Sequence, residues 1–102
     1  EKAITYIKDA LKIEPENAGM QNFLGYLYAD MGINLNDALI LIKKALEKEP
    51  KNAAYLDSLG WVYFKMKDYK KAGKYLEEAL KIMPDEKEML EHMKALKNAT
   101  KK

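Results

Sequence analysis

Histidine and serine, which often do acid–base or nucleophilic chemistry, occur once each, and each has an acidic residue beside it in the sequence. His92, the single histidine, follows Glu91 and lies one helical turn after Glu88. This grouping could bind a metal ion, but a solvated face of a terminal helix is the better interpretation. Ser58, the single serine, adjoins Asp57 with no histidine near it in the pattern, so a Ser-His-Asp triad is not expected. We predict a chain that is not an enzyme and has no cofactor and no metal site.

The rest of the composition excludes other classes of function. Cysteine and arginine are absent, and the six methionines recur at core-like spacings that favour gap filling over copper binding. No apolar run reaches the roughly 18 residues of a membrane span, so membrane insertion is not expected. All 18 basic residues are lysines, interleaved with 16 acidic residues. Nucleic-acid binders usually present a clustered, arginine-containing basic stripe, and nucleic acid is therefore not a predicted partner. The densest basic stretch is at the end of the chain (Lys94, Lys97, Lys101, Lys102).

Three prolines divide the chain at a nearly constant spacing. Pro15, Pro50 and Pro84 are 35 and 34 residues apart, and each ends a segment of the form Ala-Leu-x-x-x-Pro. Proline cannot continue a helix and disfavours helical geometry in the residue before it, so each proline marks a helix end. Asn17 and Asn52 follow two residues later and are favourable N-cap residues.

Two further matching segments lie between the prolines. Residues 24–28 and 59–63 share the pattern Leu-Gly-x-x-Tyr, and a break follows each. Gly32 suits a left-handed helix end, while Asn34 and Asp68 can cap the next helix. Strand-like alternation is absent, and the pattern predicts an all-α chain. We expect about six antiparallel helices, near 1–14, 18–31, 35–49, 53–66, 69–83 and 86–98.

These registered segments resemble the tetratricopeptide repeat (TPR) family, whose 34-residue pattern is W-x2-L-G-x2-Y, then A-x3-F, then P. One repeat has Leu59, Gly60, Tyr63, Ala72 and Pro84 in register, and the preceding one has Leu24, Gly25, Tyr28, Ala38 and Pro50. The first aromatic position holds Gln21 and Leu56, and the Phe position holds Ile42 and Leu76. The resemblance divides a single domain, 1–102, into the second half of a repeat, two repeats and a capping helix with its tail (1–17, 18–52, 53–86, 87–102). Two stretches, LGYLYADMG and LDSLGW, are similar to bacterial TPR proteins.

The pattern also has a physical explanation. On an α-helix, Leu56, Leu59, Gly60 and Tyr63 fall within one arc, which is the stripe expected to pack on the partner helix. Gly60 lets the partner approach closely, and alanines supply a small opposing face. The resemblance implies that such helix pairs stack into a solenoid, a right-handed superhelix with a concave groove.

The resemblance also implies which residues line the groove, because the first helix of each repeat faces it. The partner-binding positions are then Asn22, Tyr26, Asp30, Asp57, Trp61, Phe64 and Lys65. Trp61 and Phe64 lie opposite the packing stripe, and Tyr26 and Trp61 are favourable binding anchors. The alternative is that these rings only pack against neighbouring inner helices. The Lys, Asn and Arg clamp by which some TPR proteins bind chaperone termini is missing, whereas acidic residues suit a partner with apolar residues and a nearby Lys or Arg.

The predicted function is a protein-interaction module that binds a peptide or helix of a partner protein in its groove. The alternative is a structural spacer or oligomerisation segment with no ligand of its own. The first helix enters in mid-repeat and would expose some of Ile4, Ile7 and Leu11, so self-association through that helix is expected. The sequence leaves the compartment, cytoplasmic or periplasmic, undetermined.

Overall fold

The computed structural model describes residues 2–101, and every regular element in that range is an α-helix. The order is α1 (Lys2–Ile13), α2 (Ala18–Met31), α3 (Leu35–Lys48), α4 (Ala53–Lys65), α5 (Tyr69–Ile82) and α6 (Lys87–Thr100). The all-α prediction is confirmed, and the predicted boundaries differ from these by at most two residues. Glu1 in the first predicted helix and Lys102 in the terminal lysine cluster lie outside the described residues.

The helix ends follow from the residues that punctuate the sequence. The Oδ1 atom of Asn17 accepts a hydrogen bond from the Met20 backbone N–H at 2.9 Å. Asn52 does the same for the Tyr55 N–H at 3.1 Å, so both predicted N-caps are confirmed. Gly32 closes α2 with φ 69°, the left-handed conformation that costs glycine least.

Asn34 corrects one detail of the predicted boundaries. It precedes α3 as expected, but its backbone is left-handed (φ 47°) and its side chain makes no capping hydrogen bond. Asparagine tolerates this conformation better than most residues, so its role is to turn the chain rather than to cap the helix. Asp68 does cap α5, accepting from the Lys71 N–H at 3.2 Å.

Each helix pair closes around a glycine notch. A Cβ built on Gly60 would lie 2.8 Å from Leu76 Cγ, and one built on Gly25 would lie 2.6 Å from Ile42 Cγ1. Both Ile42 and Leu76 are fully buried. The notch therefore receives a large apolar side chain of the second helix, in addition to the alanines that the sequence pattern suggests.

Replacement of glycine by alanine is expected to lower the free energy of unfolding at Gly60, which lies in a notch, and to raise it at Gly73, which does not. Gly60→Ala forces a methyl group against Leu76, and overpacking of this kind costs about 1–3 kcal/mol. Gly73→Ala meets only Leu96 Cδ2, at an ordinary 3.5 Å, and alanine favours a helix by up to about 1 kcal/mol. Urea denaturation followed by circular dichroism is expected to show Gly60→Ala less stable, and Gly73→Ala more stable, than the unsubstituted chain. Equal shifts of the midpoint would mean that the notch is not tightly packed.

The helices stack so that one side of the molecule is lined by α2, α4 and α6. Helix α4 contacts both α2 and α6, while within residues 2–101 the second helices α3 and α5 do not contact each other. Neighbouring helices that touch on one side and separate on the other make the stack curve toward the touching side. The surface formed by α2, α4 and α6 is called the inner face below.

Helix α1 packs only on α2 among the described elements. Ile7 is buried and Ile4 and Leu11 are partly buried, whereas Tyr6 and Ile13 are 73% and 83% exposed. Self-association through this helix stays a prediction. In the described range, the longest apolar helical stretch is too short and too polar to cross a membrane.

Candidate functional site

The residues predicted to line the groove come from two adjacent helices. Helix α2 carries Asn22, Tyr26 and Asp30 at spacings of four residues, which keep them on one side of the helix. Helix α4 carries the other four predicted residues (Asp57, Trp61, Phe64, Lys65). Because α2 contacts α4, the two sets lie on neighbouring helices of the inner face.

The predicted residues differ in how far they are exposed. Asn22, Tyr26, Trp61, Phe64 and Lys65 are partly buried, and Asp30 is exposed. Asp57 is the exception, because only 3% of it is exposed. Asp57 therefore lies beneath the inner face. The prediction that it lies on the surface of the groove is wrong.

Aromatic rings form a continuous row along the inner face. Trp61 stacks on Phe64 with ring centroids 4.8 Å apart and on His92 at 4.0 Å, and both pairs are nearly parallel. Tyr26 extends the row, with its ring 6.1 Å from His92. Lys65 adds its ammonium 5.3 Å from the Trp61 ring and donates to the Asp30 carbonyl at 3.4 Å. Rings held this way contribute large apolar area without losing much freedom on binding. Phe64, Trp61, His92 and Tyr26 are called the aromatic row below.

The interpretation of His92 as a residue of a solvated face is wrong. Only 6% of it is exposed, and its Nδ1 atom lies 3.0 and 2.9 Å from Asp57 Oδ1 and Oδ2. The buried stripe of α6 is Met89, His92 and Leu96, whereas Leu90 is 47% exposed. Their spacing of three and four residues is the signal in the sequence that could have placed His92 inward.

The pairing also bears on the prediction that Ser58 and Asp57 form no Ser-His-Asp triad, because that prediction assumed that no histidine lies near them. The fold brings His92 from 35 residues away to Asp57, and Ser58, the next residue along the chain from Asp57, is also buried. Within residues 2–101, however, Ser58 makes no hydrogen bond to His92. The pair therefore has a base and a carboxylate that orients it, but no serine is held against the base. Its structural effect is to connect α6 to α4.

Asp57, Glu88 and His92 are also the residues that could hold a metal ion. Each offers one ligand atom within 4.8 Å of the others, and Asp57 and His92 are buried. A histidine and two carboxylates would suit a zinc-like cation. The hydrogen bond between Asp57 and His92 already accounts for their positions, and the expectation of no metal site stays a prediction.

A cavity of about 540 Å³ opens beside the aromatic row, between α2, α4 and the start of α6. We call it the acidic cavity; its lining residues include Asn22, Phe23, Tyr26, Asp57, Glu86, Glu88 and Met89. Burial, together with the nearby charges of Glu88, Asp30 and Asp57, raises the pKa of Tyr26 to about 12. The phenol therefore stays protonated in a region of negative potential.

Two polar atoms on this side of the molecule are left without partners. Among the described residues, Asn22 Oδ1 and Trp61 Nε1 are the buried side-chain nitrogen and oxygen atoms that have no hydrogen bond. An unsatisfied buried group costs about 1–3 kcal/mol, so native proteins keep few of them. Both belong to residues that the sequence assigned to the groove.

Comparison with known proteins bears on the fold and leaves the ligand open. Residues 53–86, which include α4 and α5, match the family model described as tetratricopeptide repeat. No curated protein matches the chain. TPR domains are helical-repeat scaffolds that typically act in protein interaction and not in catalysis. This match supports a tetratricopeptide repeat at residues 53–86, and the six helices with their glycine-notched pairs are consistent with an all-α helical-repeat fold.

Proposed function

We propose that the chain binds a peptide or helix of a partner protein on its inner face, in the groove between α2, α4 and α6. Tyr26, Trp61 and Phe64 are the anchors in this proposal, and Asn22, Asp30 and Lys65 are polar contacts at its edges. Asp57 acts indirectly, because it is buried and holds His92 against the Trp61 ring.

The observation that carries the proposal is the position of the two unsatisfied polar atoms. Asn22 Oδ1 and Trp61 Nε1 come from different helices, yet both belong to the inner face. Native proteins keep few such atoms, so two of them on one surface favour a partner outside the chain for that surface. A partner peptide carries donors and acceptors along its whole backbone, and small rotations of the Asn22 amide and the indole would offer these atoms to it.

The aromatic row supplies the apolar part of the interaction. Tyr26, Trp61 and Phe64 are each partly exposed, although Trp61 stacks on Phe64 and Tyr26 lies beside His92. Tryptophan and tyrosine are enriched among the residues that dominate binding energy, because they bury much area with few rotatable bonds. A helix or extended peptide with one or two large apolar side chains would cover this row.

The proposal is tested by selecting binding peptides from a random-sequence phage library and measuring their affinity by calorimetry. Trp61→Ala is expected to weaken the selected peptides at least about tenfold, as loss of a central anchor does. Tyr6→Ala is the matched control, since Tyr6 is an exposed aromatic residue on α1, away from the inner face. Backbone amide shifts in ¹⁵N spectra are expected to move mainly on α2, α4 and α6.

Trp61→Ala removes a partly buried ring, so its fold is checked by the same spectra. Trp61→Phe keeps a stacking ring and is expected to retain intermediate affinity. Peptides that bind Trp61→Ala as tightly as the unsubstituted chain, or that shift only α3 and α5, would favour the structural-spacer alternative.

A further inference from the structure

We propose that the acidic cavity receives an arginine side chain of the peptide that lies in the groove. The inference rests on the proposed function and adds the chemistry of the partner. It concerns one defined pocket at the junction of α2, α4 and α6, next to the aromatic row but distinct from it.

The charged groups of the cavity all have one sign. Asp57, Glu86 and Glu88 line it, and no lysine is among the lining residues. One oxygen of Glu86 already has a partner, because its Oε1 atom accepts a hydrogen bond from the Met89 N–H at 3.2 Å. The Asp57 carboxylate is paired with His92. Glu88 is exposed on the rim, near the Tyr26 phenol, so it is the carboxylate that an incoming cation reaches first.

The cavity also has more acceptors than donors. The hydroxyl of Tyr26 lies near the Glu88 carboxylate, and Asn22 Oδ1 has no donor among the described residues. A ligand with a positive charge and several N–H donors would pair with the Glu88 carboxylate. It would also donate to Asn22 Oδ1 once the Asn22 amide has rotated. Anionic or purely apolar ligands would leave these acceptors unpaired and add repulsion or desolvation cost.

Shape and lining favour arginine over lysine. Phe23, Met83 and Met89 give the cavity apolar walls for the aliphatic stem of a long side chain. The planar guanidinium has five donors in a fixed fork, can pair with a carboxylate and a neighbouring amide at once, and stacks on aromatic rings. A lysine ammonium is a point charge that makes no such fork. The chain itself contains no arginine, so none of its own side chains can occupy the site.

The pocket is first tested without any peptide, by ¹⁵N titration with N-acetyl-arginine amide in the presence of EDTA. Saturable shifts are expected at Asn22, Tyr26 and Glu88, and the neutral isostere N-acetyl-citrulline amide is expected to give none. N-acetyl-lysine amide is expected to bind more weakly than the arginine compound. Non-saturating shifts, equal shifts with citrulline, or binding that appears only when EDTA is replaced by Zn²⁺ would overturn the inference.

The second arm uses the peptides selected against the whole chain. They are expected to share an arginine at a fixed distance from the apolar anchor, and replacing it with citrulline is expected to weaken binding about tenfold, the value of one charge-assisted hydrogen bond. Glu88→Gln is expected to cause a similar loss, and no further loss with the citrulline peptide. Glu77→Gln on α5 is the matched control for net charge, with less than about a twofold change.

The two arms separate the failure of this inference from the failure of the proposed function. Peptides that need Trp61 but neither arginine nor Glu88 would overturn the arginine site and leave the groove intact. If the arginine amide binds the cavity but no peptide depends on Trp61, the proposal that the groove binds a peptide is wrong. The claim that the arginine belongs to a bound peptide then fails with it.

Discussion

Replacing Ile42 with alanine is expected to lower the free energy of unfolding by about 2–5 kcal/mol, the range for truncating a buried aliphatic residue. Ile42 is fully buried and lies in the notch that Gly25 leaves on α2. Removal of three carbons there opens a cavity that glycine cannot fill, and the neighbouring backbone is held by the rest of the helix pair. The loss is measured by urea denaturation followed by circular dichroism.

Ile40→Ala is the matched control for that measurement. Ile40 has the same side chain on the same helix, two residues earlier, but it is 55% exposed. Its truncation is expected to change stability by about 0.5 kcal/mol or less, as is usual for surface positions. If both variants lose the same stability, the contact between Ile42 and Gly25 does not hold the first helix pair together.

The helix boundaries and the notches were predictable because their causes are local in the sequence. Proline and left-handed glycine end helices wherever they occur, and Asn17 and Asn52 cap through N–H groups only three residues away. The Leu-Gly-x-x-Tyr pattern likewise fixes which face of α2 and α4 is packed. Such features need no knowledge of how the helix pairs are arranged.

The interior of the site was not predictable in the same way. Apolar residues at both 89 and 90 allow two stripes on α6 that differ by about 100° of rotation, the angle between successive helical residues. Only the docking of α6 on α5 and α4 decides between them, and it turns His92 inward to Asp57, 35 residues away. The sequence therefore predicted Trp61 as an anchor but not the imidazole stacked on it.

The buried Asp57–His92 pair is expected to couple α4 to α6 energetically. Asp57→Ala leaves a buried imidazole without its hydrogen-bond partner, and the free energy of unfolding is expected to fall by about 1–3 kcal/mol. A double-mutant cycle with His92→Ala is expected to give an interaction energy of about 1–2 kcal/mol, since the two side chains lie in direct contact. Because His92 stacks on the single tryptophan, Asp57→Ala is also expected to change the fluorescence of Trp61.

The exposed pair of Asp9 and Lys12 on α1 supplies the control cycle. Its ammonium and carboxylate are 3.8 Å apart, and both side chains are more than half exposed. Water screens such a pair, so its interaction energy is expected to stay below about 0.5 kcal/mol and Trp61 fluorescence is expected not to change. Equal interaction energies in the two cycles would show that the Asp57–His92 contact adds nothing beyond a surface ion pair. A larger value for the buried pair would mean that the last helix, and with it one wall of the groove, is held in place by a carboxylate that the groove surface conceals.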